Sequence, residues 1–227
     1  MSAETSLRAA AFLGSYLVGS IPTAYLLVKW LKRVDVRTIG SGNVGATNVT
    51  RVAGLWAGVV VFFIDLAKGF VAVRFIAPWL LHPLTPTVQL GCGLLAVIGH
   101  TCPVFLNFKG GKGVATTIGV LVGTMPLIAG ICLLVWAACV LLWRYISVGS
   151  LAAAVALPMA QLISHRASSE VLLGMALALL IIVRHRANIE RLRQGKEHRV
   201  GRKRIDERGQ VAYNNRLDGT GEPREPA

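Results

Sequence analysis

Acidic residues are scarce in this chain: 227 residues hold 11 Asp and Glu against 24 Lys and Arg, a formal charge of +13. Charged residues of both signs reach only 15%, where soluble chains average about a quarter. With 54% apolar residues and a mean hydropathy of +0.58, this shortage excludes a soluble basic domain and indicates an all-α polytopic membrane protein. Cysteine is sparse too. Cys92, Cys102, Cys132 and Cys139 lie inside apolar stretches, with no Cys-x-x-Cys and no paired Cys/His spacing. That pattern supports neither a zinc site nor a disulfide framework, and it leaves packing thiols.

A membrane-crossing helix needs about 20 apolar residues. Seven candidates are present: Leu7 to Val28, Gly54 to Leu81, Val88 to Leu106, Val114 to Met125, Leu127 to Trp143, Ser150 to Ile163 and Glu170 to Val183. The fourth, sixth and seventh are short, and such helices at membrane depth line protein-enclosed cavities. Only Thr124-Met125-Pro126 separates the fourth from the fifth, so one long kinked helix, and six spans, is the alternative. With seven spans, twenty of the 24 Lys and Arg residues fall on one side. Arg8 and Arg166 fall opposite, and Lys68 and Arg74 lie inside the second span. Positive loops stay cytoplasmic, so the N-terminus is expected outside and the C-terminus inside. The first span carries Ala10, Gly14, Ser15 and Gly19, small residues that allow close packing. Its basic flank follows it rather than precedes it, which opposes a cleaved signal peptide.

Residues 1–203 are expected to form one membrane domain, with 184–203 as a basic interfacial segment. The polar stretch 204–227 reads as a disordered cytoplasmic tail. Anionic lipid accounts for the juxtamembrane Lys and Arg without any nucleic-acid partner.

Three segments on the cytoplasmic side are unlike ordinary connections. The first, Gly40-Ser-Gly-Asn-Val-Gly-Ala-Thr-Asn48, precedes Arg51. Gly40, Gly42 and Gly45 permit close backbone approach, and successive amides make an anion nest. Ser41, Asn43, Thr47 and Asn48 add hydrogen-bonding side chains, and Arg51 offers a fork for phosphate oxygens. A glycine-rich turn capped by Asn and Ser is the plainer alternative. The second, Phe108-Lys-Gly-Gly-Lys-Gly-Val-Ala-Thr-Thr117, opens the fourth span. Gly110, Gly111, Lys112 and Gly113 at a helix N-terminus suit an anion. A Walker A loop is ruled out, because Leu106 takes its first glycine position and Gly113 its hydroxyl position. The third runs from Arg184 to Glu197. His185 and Asn188 are three apart, on one helix face, although a headgroup-facing helix end would look the same. Ser150 is expected to cap the sixth span and point a hydroxyl at the same place. Inside the second span, Asp65 and Lys68 are spaced to neutralise each other, and His100 reads as a buried hydrogen-bonding histidine.

The strings Gly40-Ser-Gly-Asn-x-Gly-Ala-Thr-Asn48, His100-x-x-Pro103 leading to Phe108-Lys-Gly-Gly-Lys-Gly113, and Arg184-His-Arg-x-Asn-Ile-x-Arg191 resemble the bacterial acyl-phosphate:glycerol-3-phosphate acyltransferases of the PlsY type. Asp65-x-x-Lys68-Gly69 and Arg144-Tyr-x-Ser147 are similar as well. The resemblance implies a seven-span enzyme of the bacterial cytoplasmic membrane that makes lysophosphatidic acid, with its active site on the cytoplasmic face. Ser41, Arg51, Lys112, Ser150, His185 and Asn188 match polar positions of that family's active site. The implied partners are acyl phosphate, glycerol 3-phosphate and the bilayer. No cofactor or metal is expected, and the chain is expected to act as a monomer. The His-x-x-x-x-Asp acyltransferase signature is missing, so the proton acceptor stays open between His185 and a substrate phosphate oxygen. A transporter of a small organophosphate anion is the competing class, although it calls for repeated halves and a midplane site.

Overall fold

A computed structural model describes residues 3–201; the tail expected over 204–227 lies outside the described residues. Eleven α-helices follow one another: α1 Ala3–Ser20, α2 Thr23–Lys32, α3 Ala46–Ala53, α4 Leu55–Val71, α5 Ala77–Leu80, α6 Pro86–Thr101, α7 Val114–Thr124, α8 Pro126–Trp143, α9 Ile146–Ile163, α10 Ser168–Arg184 and α11 Arg186–Arg193. A π-turn over Ala72–Ile76 joins α4 to α5, and the described residues contain no strand.

Among the described residues, four stretches are long and apolar enough to cross a membrane: Glu4–Lys32, Pro86–Leu106, Pro126–Trp143 and Ile146–Ile163. The pair α10 and α11, bent by 55°, would make a fifth. The helical run from α4 to α5 carries Asp65, Lys68 and Arg74, and α7 has 11 residues. Composition and length therefore keep these two below the same standard.

Proline sets the breaks. Pro22 has no amide to donate, and the first span parts there into α1 and α2. Residues before proline avoid the α conformation; Met125, at φ −142° and ψ 66°, ends α7, and Pro126 starts α8. The two are separate helices, since α7 packs on α4 whereas α8 packs on α9. One expectation is corrected here: α9 begins at Ile146 and not at Ser150, which therefore sits a turn inside the helix and bonds the Ile146 carbonyl at 3.0 Å.

Close helix contacts depend on missing side chains. A Cβ on Gly19 of α1 would overlap the Ala96 carbonyl of α6, and one on Gly99 would overlap the Tyr16 carbonyl. Gly69 of α4 and Gly119 of α7 face the Thr116 and Leu66 carbonyls in the same way. A shared core of Val73, Val97, Val120, Leu157 and Leu177 fills the interior. Large apolar side chains such as Leu13, Phe63, Leu141 and Leu172 stay exposed on the perimeter, where lipid covers them.

Gly69→Val is expected to lower stability by roughly 1–3 kcal/mol through overpacking. Gly130→Ala, at a position with nothing within 4 Å, is expected to be neutral. Thermal unfolding of both variants in detergent checks the contrast.

Candidate active site

The first glycine segment is braced by a side chain of its own. Asn48, 1% exposed, accepts from the Ser41 amide at 2.8 Å through Oδ1. Its Nδ2 donates to the Val36 and Ile39 carbonyls, each at 3.1 Å. Asn48 thus spends its hydrogen bonds on the loop. Gly40 and Gly42 adopt φ of +67° and +68°, and a Cβ on Gly40 would strike Asn48 Oδ1. Gly45 caps α3, which carries Thr47 and Arg51 towards a cavity of about 460 Å³. Ser41, Asn43, Gly45, Thr47, Asn48 and Arg51 line that cavity, whereas Gly40 and Gly42 shape the turn behind it.

The second segment folds back on α6. The Gly110 amide donates to the Thr101 carbonyl at 3.1 Å, and the Gly111 amide to the His100 carbonyl at 3.0 Å. A Cβ on Gly110 would meet the His100 carbonyl and Pro103, and one on Gly111 would meet the His100 ring. These two glycines are packed against protein and do not line the cavity. Lys112 and Gly113 do line it, and Gly113, at φ +86°, starts α7. Arg184 donates to the Gly110 carbonyl at 2.8 Å and the Gly111 carbonyl at 3.1 Å.

The third segment enters at the bend between α10 and α11. His185, 2% exposed, and Asn188, 5% exposed, both line the cavity. His185 Nδ1 lies 2.8 Å from the Ile181 carbonyl. A carbonyl can only accept, so the proton sits on Nδ1 and Nε2 is left with its lone pair. Ser150 also lines the cavity.

All the side chains singled out from sequence therefore meet at one place. Sequence reasoning missed Glu197. It accepts from Asn188 at 2.7 Å, Arg191 at 2.7 Å and Ser147 at 3.1 Å. It also missed Phe62, Leu133 and Trp136 as walls. Asp65 and His100, read as structural, line the cavity as well. The recurrence of Ser147 in one of the quoted strings was the only signal for that residue; nothing local marks the fold-back of Glu197. A smaller apolar cleft shares Val114, Ile118, Leu133, Trp136 and Ser150 with the cavity and continues to Leu121, Cys132 and Leu157.

Burial pushes Lys112 down to about 8; Glu197 opposes this, while Arg191, Arg51 and Arg184 add to it. Burial and the Lys112 charge push His185 down to about 4. Burial also lowers Arg51, but a guanidinium keeps its charge. For Glu197, burial works upward, yet the bonds from Asn188 and Arg191 outweigh it and hold the carboxyl below its ordinary range. At neutral pH Arg51 and Lys112 line the cavity as cations and His185 as a neutral imidazole, while the two lining carboxyls are engaged by neighbours, Asp65 by Lys68 and Glu197 by Asn188 and Arg191. Such a site suits an anionic, phosphate-like group beside an apolar chain.

A family described as glycerol-3-phosphate acyltransferase matches residues 9–195. A glycerol-3-phosphate acyltransferase of Myxococcus xanthus is 46% identical over 193 residues, covering 85% of this chain and 100% of the relative. One from Syntrophomonas wolfei is 43% identical over 194 residues, covering 85% and 97%. The crystal structure of the integral membrane glycerol 3-phosphate acyltransferase PlsY, in its glycerol 3-phosphate form, superposes with a TM-score of 0.80 at 41% identity, covering 86% of this chain and 96% of that one. Its lysophosphatidic acid form gives 0.78 at 38% identity, covering 86% and 95%.

Lys112 is charged below a pKa of about 8, so affinity for inorganic phosphate is expected to hold at neutral pH and fall between pH 8 and 10. Lys112→Ala is expected to weaken binding roughly ten- to a hundred-fold at pH 7 and to flatten that pH dependence. Calorimetric titration with phosphate checks both.

Proposed function

The chain belongs to the glycerol-3-phosphate acyltransferase family, and from that premise we propose that it transfers a fatty acyl group from acyl phosphate to the 1-hydroxyl of glycerol 3-phosphate. The products are lysophosphatidic acid and inorganic phosphate, which places the reaction at the start of phospholipid synthesis. The supporting observation is the joining of a cationic cavity, holding Ser41, Arg51, Lys112, Ser150, His185 and Asn188, to an apolar cleft between α7, α8 and α9. A transporter of organophosphates is set aside, because the relatives and the superposed structures are acyltransferases.

The hydroxyl oxygen attacks the acyl carbonyl, the bond from that carbon to the phosphate oxygen breaks, and phosphate leaves. The donor is already activated, so the protein contributes positioning and charge neutralisation. Arg51 and Lys112 neutralise phosphate oxygens. Ser41, Asn43, Thr47, Ser150 and the amides beside Gly45 and Gly113 set their positions. Asn188 and His185 hold glycerol 3-phosphate. With a pKa of about 4, His185 is a poor base at neutral pH, and a phosphate oxygen titrating near 6 is better matched to the task. We assign the proton to that oxygen, and to His185 Nε2 the acceptance of a hydrogen bond from the 2-hydroxyl, which orients glycerol 3-phosphate for attack.

We also propose seven spans in the bacterial cytoplasmic membrane, with the N-terminus outside, the C-terminus inside and the site on the cytoplasmic face. Supporting this, Arg51 and Lys112 from two of the basic segments line one cavity with His185 and Asn188 from the third, and a seven-span reading of the sequence puts twenty of the 24 Lys and Arg residues on one side.

Purified protein given acyl phosphate and labelled glycerol 3-phosphate is expected to form lysophosphatidic acid, without magnesium and with no turnover of acyl-CoA. Efficient use of acyl-CoA as sole donor contradicts the donor assignment. His185→Asn is expected to keep most of the maximal rate; a rate as low as that of His185→Ala would return the proton to His185. In a chain whose four native cysteines are replaced, Thr87→Cys is expected to label from outside and Gln210→Cys only from inside. Labelling of both from one side refutes the odd number of spans.

A further inference from the structure

The loop that carries Lys112 is held through its backbone, with no side chain at Gly110 or Gly111 to brace it. Gly110 and Gly111 have no side chains, and none would fit, since the His100 ring and carbonyl occupy the space where their Cβ atoms would go. Their amides are already used by Thr101 and His100. Their carbonyls are the polar groups of these two residues that those bonds leave over. A carbonyl turned towards the cavity would set a negative dipole against bound phosphate and would rotate the adjoining peptide with it.

Arg184 takes up both carbonyls. Its Nη2 donates to Gly110 at 2.8 Å and its Nε to Gly111 at 3.1 Å, a fork from two nitrogens of one rigid plane that the single nitrogen of a lysine does not reproduce. Arg184 does not line the cavity. It is the last residue of α10 and precedes His185, which does line it. One helix end thereby places His185 in the site and fixes the backbone of the loop opposite.

We propose that Arg184 is a positioning residue for phosphate binding: its fork on the Gly110 and Gly111 carbonyls holds these dipoles off the cavity and presents Lys112 and the Gly113 amide to phosphate. This rests on the acyl-transfer reading for its kinetic consequence but not for its binding consequence. Because Arg184 holds the loop and does not line the cavity, its loss acts on affinity more than on the chemical step.

Arg184→Met and Arg184→Lys are compared with the unaltered protein for KM and kcat in acyl transfer, for calorimetric binding of inorganic phosphate, and for thermal midpoint. Arg184→Met is expected to weaken phosphate binding roughly tenfold or more and to raise the KM of a phosphate-bearing substrate by a similar factor, with kcat within about threefold. Arg184→Lys keeps the charge and the aliphatic stem but not the fork, and is expected to fall between the two. Full recovery by lysine would show that charge alone matters and would overturn the proposal. So would unchanged phosphate affinity in both variants, or a fall in thermal midpoint with KM and phosphate affinity intact. If Arg184→Met does not fold, Arg184→Lys decides by the same readings. Absence of acyl transfer by the unaltered protein, with phosphate binding and its loss as expected, would sink the functional reading and leave the role of Arg184 standing.

Discussion

A buried ammonium holds this structure together. Lys68 Nζ lies 2.6 Å from Asp65 Oδ1 and 2.6 Å from the Ile21 carbonyl, with the lysine and aspartate side chains 5% and 3% exposed. Ile21 lies in the break between α1 and α2, where its carbonyl accepts from the Thr23 amide as well as from the ammonium. Asp65 also reaches His100, 3.6 Å away, and the His100 ring is the surface on which Gly111 rests. A single chain of polar contacts therefore runs from the break in the first span, through α4 and α6, to the loop that presents Lys112. Charges buried in this way are costly unless every partner is in place, so the cluster ties these four elements to one arrangement.

The candidate active site follows from where that arrangement leaves its charges. Arg51 arrives on α3, Lys112 ahead of α7, and His185 and Asn188 at the bend between α10 and α11. Each comes from a segment that interrupts or ends a helix, where backbone amides and side chains are free to face a ligand. Glu197 binds Asn188, Arg191 and Ser147 and so fixes the third segment without neutralising Lys112 by direct contact. The apolar cleft beginning at Ile118, Leu133 and Trp136 sits against the cationic end, which is the layout a phosphate with a hydrocarbon chain requires. The same arrangement keeps His185 neutral, because burial and Lys112 act in one direction.

What the sequence by itself determined is what short-range physics decides. A low content of charge with long apolar runs makes a helical membrane protein. Asp65 and Lys68, three apart, share a helix face and pair as expected. Gly113 followed by an apolar run starts a helix, and the separation at Met125-Pro126 is written in the proline. The glycine-rich and basic strings marked the cationic site before any coordinates. The start of α9 was misjudged, because Ser150 is a favoured capping residue whereas the helix starts four residues earlier, behind Tyr145, which caps it without a side-chain bond. Tertiary structure alone decided that Asn48 braces a turn, that Gly110 and Gly111 pack on His100, that Arg184 grips the loop from another helix, and that Glu197 folds back onto Asn188. Each of these joins groups that spacing does not bring together, or turns on which way a backbone group faces. Helix packing settles both, through the close approach of Gly19 to Ala96 and Gly69 to Thr116, and no local pattern of residues encodes it.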